Sequence, residues 1–255
     1  MSNLMRAEFF KLFHNKTFWV LIVSLTGISA LMHNLILTDW WVMTGTPFEA
    51  VGLGELNALA VLIVPLFFNL IVSTLAGFYI ANEFSQSGVI KNQIITGHKR
   101  ARIFLAKFAA LSFGAFIAAV AIPLATAFAL LLLHGMEDIL TLSNLAYLGR
   151  AYGLFSLQFL CLAAIVLFIA IVTEDSGKTV IFTLLLSGGM FIVEKFVSKP
   201  FIVKLYEQTF FYQFSQAFRW ELASDEMAKS IFVGLISLAV ILLCGMFVFN
   251  KKEIK

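Results

Sequence analysis

The chemistry-bearing residues of this chain are concentrated in ANEFSQSGVIKNQIITGHKRARIFLAK, which contains Glu83, Lys91, Lys99, Arg100, Arg102 and Lys107. The stretch is polar and basic and lies between two long apolar runs. Gly88-Val89-Ile90-Lys91-Asn92-Gln93-Ile94-Ile95 predicts a short helix with one apolar face, ended by Gly97. Arg100 and Arg102 then open the next helix. This pattern describes a cytoplasmic elbow between two membrane spans, shaped to press into a partner. Its plain alternative is an ordinary positive-inside loop. Glu83, at the end of the preceding run, is placed to bond Lys91, Arg100 or a partner. A lipid-facing carboxylate would be costly, so a structural or coupling role is favoured over proton transfer.

The remaining candidates do not assemble. Asp175-Ser176-Gly177-Lys178-Thr179 ends like a phosphate-binding loop, but the first glycine of G-x-x-x-x-G-K-[ST] falls at Val172. It reads as a tight turn and a smaller second cytoplasmic contact. His14, His33, His98 and His134 are scattered, with no metal-ligand spacing. Cys161 and Cys244 fall inside apolar runs and read as buried structural thiols. Asn15-Lys16-Thr17 matches a glycosylation sequon on the side expected to be cytoplasmic and carries no weight. The expectation is therefore no catalytic, cofactor-binding or metal-binding residue in this chain.

The positioning elements follow from hydropathy. The 255 residues are 60% hydrophobic and 13% charged, too apolar for a water-facing surface and suited to a bilayer. Runs at about 17–37, 60–82, 108–133, 151–173, 179–193 and 230–249 predict six spans, each near the roughly 20 residues needed to cross. The fold class is all-α integral membrane, a single unit over 1–255. Residues 1–16 are amphipathic, with Leu4, Met5, Phe9, Leu12 and Phe13 near one face, and with Arg6, Lys11 and Lys16 able to reach lipid headgroups. Residues 194–229 are aromatic and charged and predict short helices at the outer face. Span five is short, and Gly188-Gly189 is expected to break it or admit a close neighbour. Pro123 predicts a tolerated kink in span three. Ser73, Gly77 and Ala81, like Ala110, Gly114 and Ala118, form small-residue faces that fit either packing within the chain or a dimer seam.

Twelve of the 18 lysines and arginines gather at the start, after span two, at Lys178 and at the end, whereas the opposing segments hold six, with only Arg150 in the short loops and five within 194–229. That bias predicts both termini in the cytoplasm. The net charge of +3 is topology information and does not form a groove for nucleic acid.

The opening MRAEFFKL followed by KTFW, the six spans, and Glu83 … Ser87-Gly88-Val89-Ile90-Lys91-Asn92 … Gly97-His98-Lys99-Arg100 together resemble an ABC-2 family permease. The closer resemblance is to small single-domain permeases of bacterial bacitracin and lantibiotic immunity exporters. In that family the stretch after the second span reads as glutamate, then Gly-Thr-x-Lys-Asn, then Gly-x-x-Arg. The matching positions here are Glu83, Gly88, Lys91, Asn92, Gly97 and Arg100, with Val89 standing where threonine is common. The resemblance implies that these residues form the region contacting a separate ABC ATPase subunit. It also implies a connecting helix over 3–15 and re-entrant or surface helices over about 194–228.

On that basis the chain is expected to be the permease of an ATP-driven exporter in a bacterial plasma membrane. ATP would be used by the partner subunit and no cofactor bound here. A second copy or a sister permease would complete the assembly, with a peptide antibiotic or another hydrophobic compound as cargo. The alternatives are an ion-gradient-driven transporter, disfavoured by the near absence of ionisable groups within the spans, and a membrane assembly protein that transports nothing.

Overall fold

A computed structural model describes residues 2–85, 88–196 and 199–252. Ser87 of the elbow motif and the last three residues lie outside the described residues. Helices and no strands are present among those described. Six of the helices are long and apolar enough to cross a membrane: Lys16–Leu37, Pro65–Phe84, Arg100–Leu133, Leu142–Thr173, Ser176–Phe196 and Ser224–Lys251. The protein is an all-α integral membrane protein.

Each boundary has a local cause. Asn15 caps span one, its Oδ1 accepting from the Thr17 amide at 2.8 Å and the Phe18 amide at 3.4 Å. This satisfies two of the amides that a helix start leaves unpaired. Span two begins at Pro65, later than the apolar run suggested, because proline suits a first helical position and ends the short helix Asn57–Leu62 before it. Span three extends back to Arg100 and carries a π-helical turn, Ile117–Ala121, just ahead of Pro123. Span five is longer than the apolar run because polar Ser176, Gly177 and Lys178 at one end and Glu194 and Lys195 at the other are also helical. It passes unbroken through Gly188 and Gly189, and nothing lies within 4 Å of either Cβ position. The expected break and close approach are both absent there.

Span one packs on the second half of span three, span two on span five, span four on span six, and spans three and four on each other. The small-residue faces are used inside the chain. A Cβ at Gly77 would sit 3.1 Å from the Ser176 carbonyl, and one at Gly114 would sit 3.0 Å from Leu12 and 3.1 Å from Leu75. Small residues let backbones approach where lipid offers no hydrophobic drive between helices. Polar side chains join the same helices: Asn69 donates to the Thr183 carbonyl at 2.6 Å and Gln158 to the Ser230 carbonyl at 3.0 Å. Cys161 is buried, whereas Cys244 is exposed on span six, contrary to the expectation that both thiols are buried.

The bundle has two distinct ends. At one, residues 38–56 and the short helices Pro200–Tyr206 and Phe210–Gln216 meet, with Phe48 against Phe218 at 5.7 Å and Phe214 against Phe68 at 4.8 Å. At the other lie the N-terminal helix Ser2–Phe13, the elbow helix Val89–Ile95, the turn at 174–175 and the end of span six.

Candidate functional site

The elbow end is built around a buried charge cluster. In the N-terminal helix, Leu4, Glu8 and Leu12 recur every four residues and all three are buried, with Glu8 fully so. In span three, Lys107 follows Ile103 by four residues, precedes Ala110 by three, and is also fully buried. Each helix therefore carries one charged side chain within an apolar stripe, and the two stripes face each other.

Lys11 Nζ lies 2.6 Å from Glu8 and 2.7 Å from Glu83. Lys107 Nζ lies 3.3 Å from Glu8 and pairs directly with Glu83. The Tyr79 hydroxyl sits 2.8 Å from the Glu8 carboxylate, and the Gln93 amide donates to it at 2.8 Å. Two carboxylates balance two ammonium groups, the condition under which charges can be kept from water. Burial works to raise the Glu8 carboxyl pKa. Lys107 and Lys11 outweigh it, with hydrogen bonds from Lys11 and Gln93, and lower it to about 2. Burial likewise works against the charge on Lys11, and Glu83 and Glu8 overcome it and raise its pKa.

Six side chains thus tie together four elements: the N-terminal helix, span two, the elbow helix and span three. Motif and spacing arguments single out neither Glu8, Tyr79 and Gln93 nor the role of Lys107. The available signal is a charge inside an apolar 3–4 spacing on each helix. Lys11 turns inward to this cluster and does not extend to headgroups as expected. Phe13, placed on the apolar face by spacing, is 40% exposed at the last turn of its helix.

The predicted elbow residues separate into two groups. Glu83 is held by Lys11 and Lys107, with neither Lys91 nor Arg100 as its partner. Arg100 instead donates to the carbonyls of Phe249 at 3.2 Å and Asn250 at 3.0 Å, and also to that of Lys252. It caps the last turn of span six, where unpaired carbonyls concentrate negative charge. Lys252 in turn pairs with Glu174 at 3.0 Å, linking the same end to span four. By contrast Gly88, Lys91, Asn92 and Gly97 are all exposed. Gly88 has φ +57° where the elbow helix starts and Gly97 has φ +88° just past its end, left-handed values that favour glycine. Ile90 anchors the helix inward and Ile95 is 72% exposed. A shallow groove of about 340 Å³ lies between the elbow helix and the N-terminal helix, lined by Leu4, Ala7, Val89, Asn92 and Thr96.

Replacing Arg100 with methionine should lower the melting temperature through loss of the charged cap, a cost of about 1 to 2 kcal/mol. Proteolysis at the C-terminus should rise alongside it. A variant that melts and resists protease like the parent would show that the cap contributes nothing.

The turn at 173–179 is a helix start. The Asp175 carboxylate accepts from the Lys178 amide at 2.8 Å, and Ser176 donates to the Gly77 carbonyl at 2.9 Å. Among the described residues, no three His, Cys, Asp or Glu side chains come together as a metal site.

The family described as "ABC-2 family transporter protein" matches residues 4–189. No curated protein and no solved structure matches the chain.

Proposed function

The chain belongs to the ABC-2 family of membrane transporter permeases, and from that premise we propose that it is the membrane-spanning subunit of an ATP-driven exporter. In this reading a separate ABC ATPase subunit uses the ATP, and this chain binds no cofactor and catalyses no reaction. A second copy or a sister permease completes the transport path. The elbow end and both termini face the cytoplasm of a bacterium, and the cargo is a peptide antibiotic or another hydrophobic compound.

The observation that carries the reading is mechanical. Exposed Lys91, Asn92 and Ile95 form a surface that a partner can push. Behind it, Gln93 and the charge cluster join the elbow to spans two and three. Arg100, at the start of span three, joins it to span six, which Lys252 and Glu174 link to span four. A close-packed, ion-paired unit transmits displacement without absorbing it. ATPase closure beneath the elbow would therefore move four spans together. Glu83 and Arg100 are positioning residues in this scheme, and Gly88 and Gly97 set the elbow's shape.

The test uses the tagged chain purified gently from native membranes, with co-purifying subunits quantified by mass spectrometry. Lys91→Glu combined with Asn92→Ala should leave the melting temperature unchanged, since exposed substitutions away from special features shift stability by only about 0.5 kcal/mol. The same variant should reduce the recovered ATPase by about tenfold, equivalent to about 1.4 kcal/mol of docking energy. If the folded parent brings down no ATPase, or the variant recovers as much as the parent, the reading is wrong.

A further inference from the structure

At the end opposite the elbow lies a cleft of about 610 Å³ that no part of the coupling scheme uses. Its volume falls in the range of small-molecule sites, roughly 300 to 1,000 Å³. The walls come from the ends of spans two and five and from the segments beyond them, residues 45–50 and the helices at 200–216. Phe191, Phe211, Phe214, Phe218 and Tyr206 supply an aromatic lining. Glu194 stands in the same lining, its carboxylate accepting from the Tyr206 hydroxyl at 2.9 Å. Burial and the Glu194 carboxylate both hold the Tyr206 phenol in its protonated form, so the hydroxyl remains a donor that orients the acid. The only cation on Glu194 among the described residues is its neighbour Lys195, at 2.9 Å and with its side chain 55% exposed. An exposed ion pair of that kind is weak and can be displaced. A carboxylate fixed among aromatic rings is the arrangement that recognises a positive charge on an apolar body, through direct charge pairing and cation–π attraction.

We propose that this cleft binds an organic cation with a bulky apolar body, which arrives from water and replaces Lys195 at Glu194. Its role as a cargo site rests on the exporter reading, whereas binding itself does not require the ATPase. The Glu194–Lys195 pair in the lining, and the contribution of residues 45–50 and 206–218 from outside the spans, favour a water-borne occupant over a lipid chain.

The probe is radiolabelled tetraphenylphosphonium, measured at equilibrium on the purified chain in zwitterionic nanodiscs without ATPase. Saturable binding at one site per chain is expected. Glu194→Gln should weaken it by about tenfold, and Ser215→Trp, at an exposed position on the cleft wall, should block it by filling space. Melting temperatures establish that each variant is folded. In parallel, Ser215→Cys, which exchanges one wall oxygen for sulfur, should react with a membrane-impermeant maleimide and be protected by the probe. Equal binding of the anion tetraphenylborate, non-saturable uptake, or indifference to both variants would overturn the proposal. So would labelling of the cleft by a photoactivatable phospholipid that the probe does not displace. Because this assay contains no ATPase, loss of cation binding and loss of ATPase co-purification are read separately. Either can fail while the other stands.

Discussion

Lys107→Met should sharply reduce the yield of folded protein, and what is recovered should melt far below the parent. The substitution removes one of two ammonium groups and leaves Glu8 and Glu83 facing Lys11 alone. Breaking a buried pair by deleting one partner costs roughly 3 to 5 kcal/mol, mostly because a buried charge is left uncompensated. Adding Glu83→Gln to Lys107→Met restores the balance at one acid and one base, so the double variant should recover much of the loss. That non-additivity is the signature of a shared network. Thermal unfolding of the single and double variants in nanodiscs measures it. Parent-like melting of Lys107→Met, or simple addition of the two effects, would show that the cluster is not a structural unit.

The same cluster gives the protein an acid limit. The folded-state pKa of Glu8 is about 2 against an ordinary 4.5. A depressed carboxyl stabilises the fold above its unfolded value, and that stabilisation is lost as pH falls from 4.5 through about 2. The gap corresponds to roughly 3 kcal/mol. Glu8→Gln should therefore be less stable than the parent at neutral pH and should show a flatter loss of stability across that acid window. An unchanged slope would remove Glu8 as the titrating group.

The second large effect is steric. A Cβ at Gly245 would sit 2.6 Å from Cζ and 2.9 Å from Cε2 of the Phe104 ring. Phe104 and Phe249 are both fully buried, with ring centroids 6.2 Å apart, and Phe84 meets Phe249 at 6.0 Å. A ring buried on all sides yields little, so Gly245→Leu should push span six away from span three near the carbonyls that Arg100 caps. Overpacking a filled core costs about 1 to 3 kcal/mol and more when backbone must move. Gly189→Leu is the matched control, since nothing lies within 4 Å of its Cβ position. It should melt at or above the parent, because leucine is the better helix former. Equal melting of the two variants would mean that the span six contact is not tight.

The elbow is legible in outline from the order of residues alone. Glycines at 88 and 97 bracket a run too short and too polar to span, and both adopt left-handed φ values for which glycine is suited. The partners of Glu83 and Arg100 are not legible in that way. Lys107 and Lys11 are 24 and 72 residues from Glu83, and the carbonyls that Arg100 caps are 149 or more residues away. Proximity along the chain favours Lys91 for Glu83, but Lys91 points outward because Ile90 takes the inward face of the short helix.

By itself the sequence determined the class of the molecule. Sustained apolar runs separated by charge can be buried only in lipid, and a backbone in lipid must satisfy its own hydrogen bonds as helices. Tertiary structure alone decided which faces meet, because a span that is apolar all round carries no mark of its inward side. The small-residue faces of spans two and three therefore fitted a dimer seam as well as they fitted Ser176 and Leu12, which they contact. Glu8 and Lys107 were assigned to the interior only when their helices met. A single buried charge is prohibitive and a balanced set is tolerated, and that balance is a property of four elements brought together.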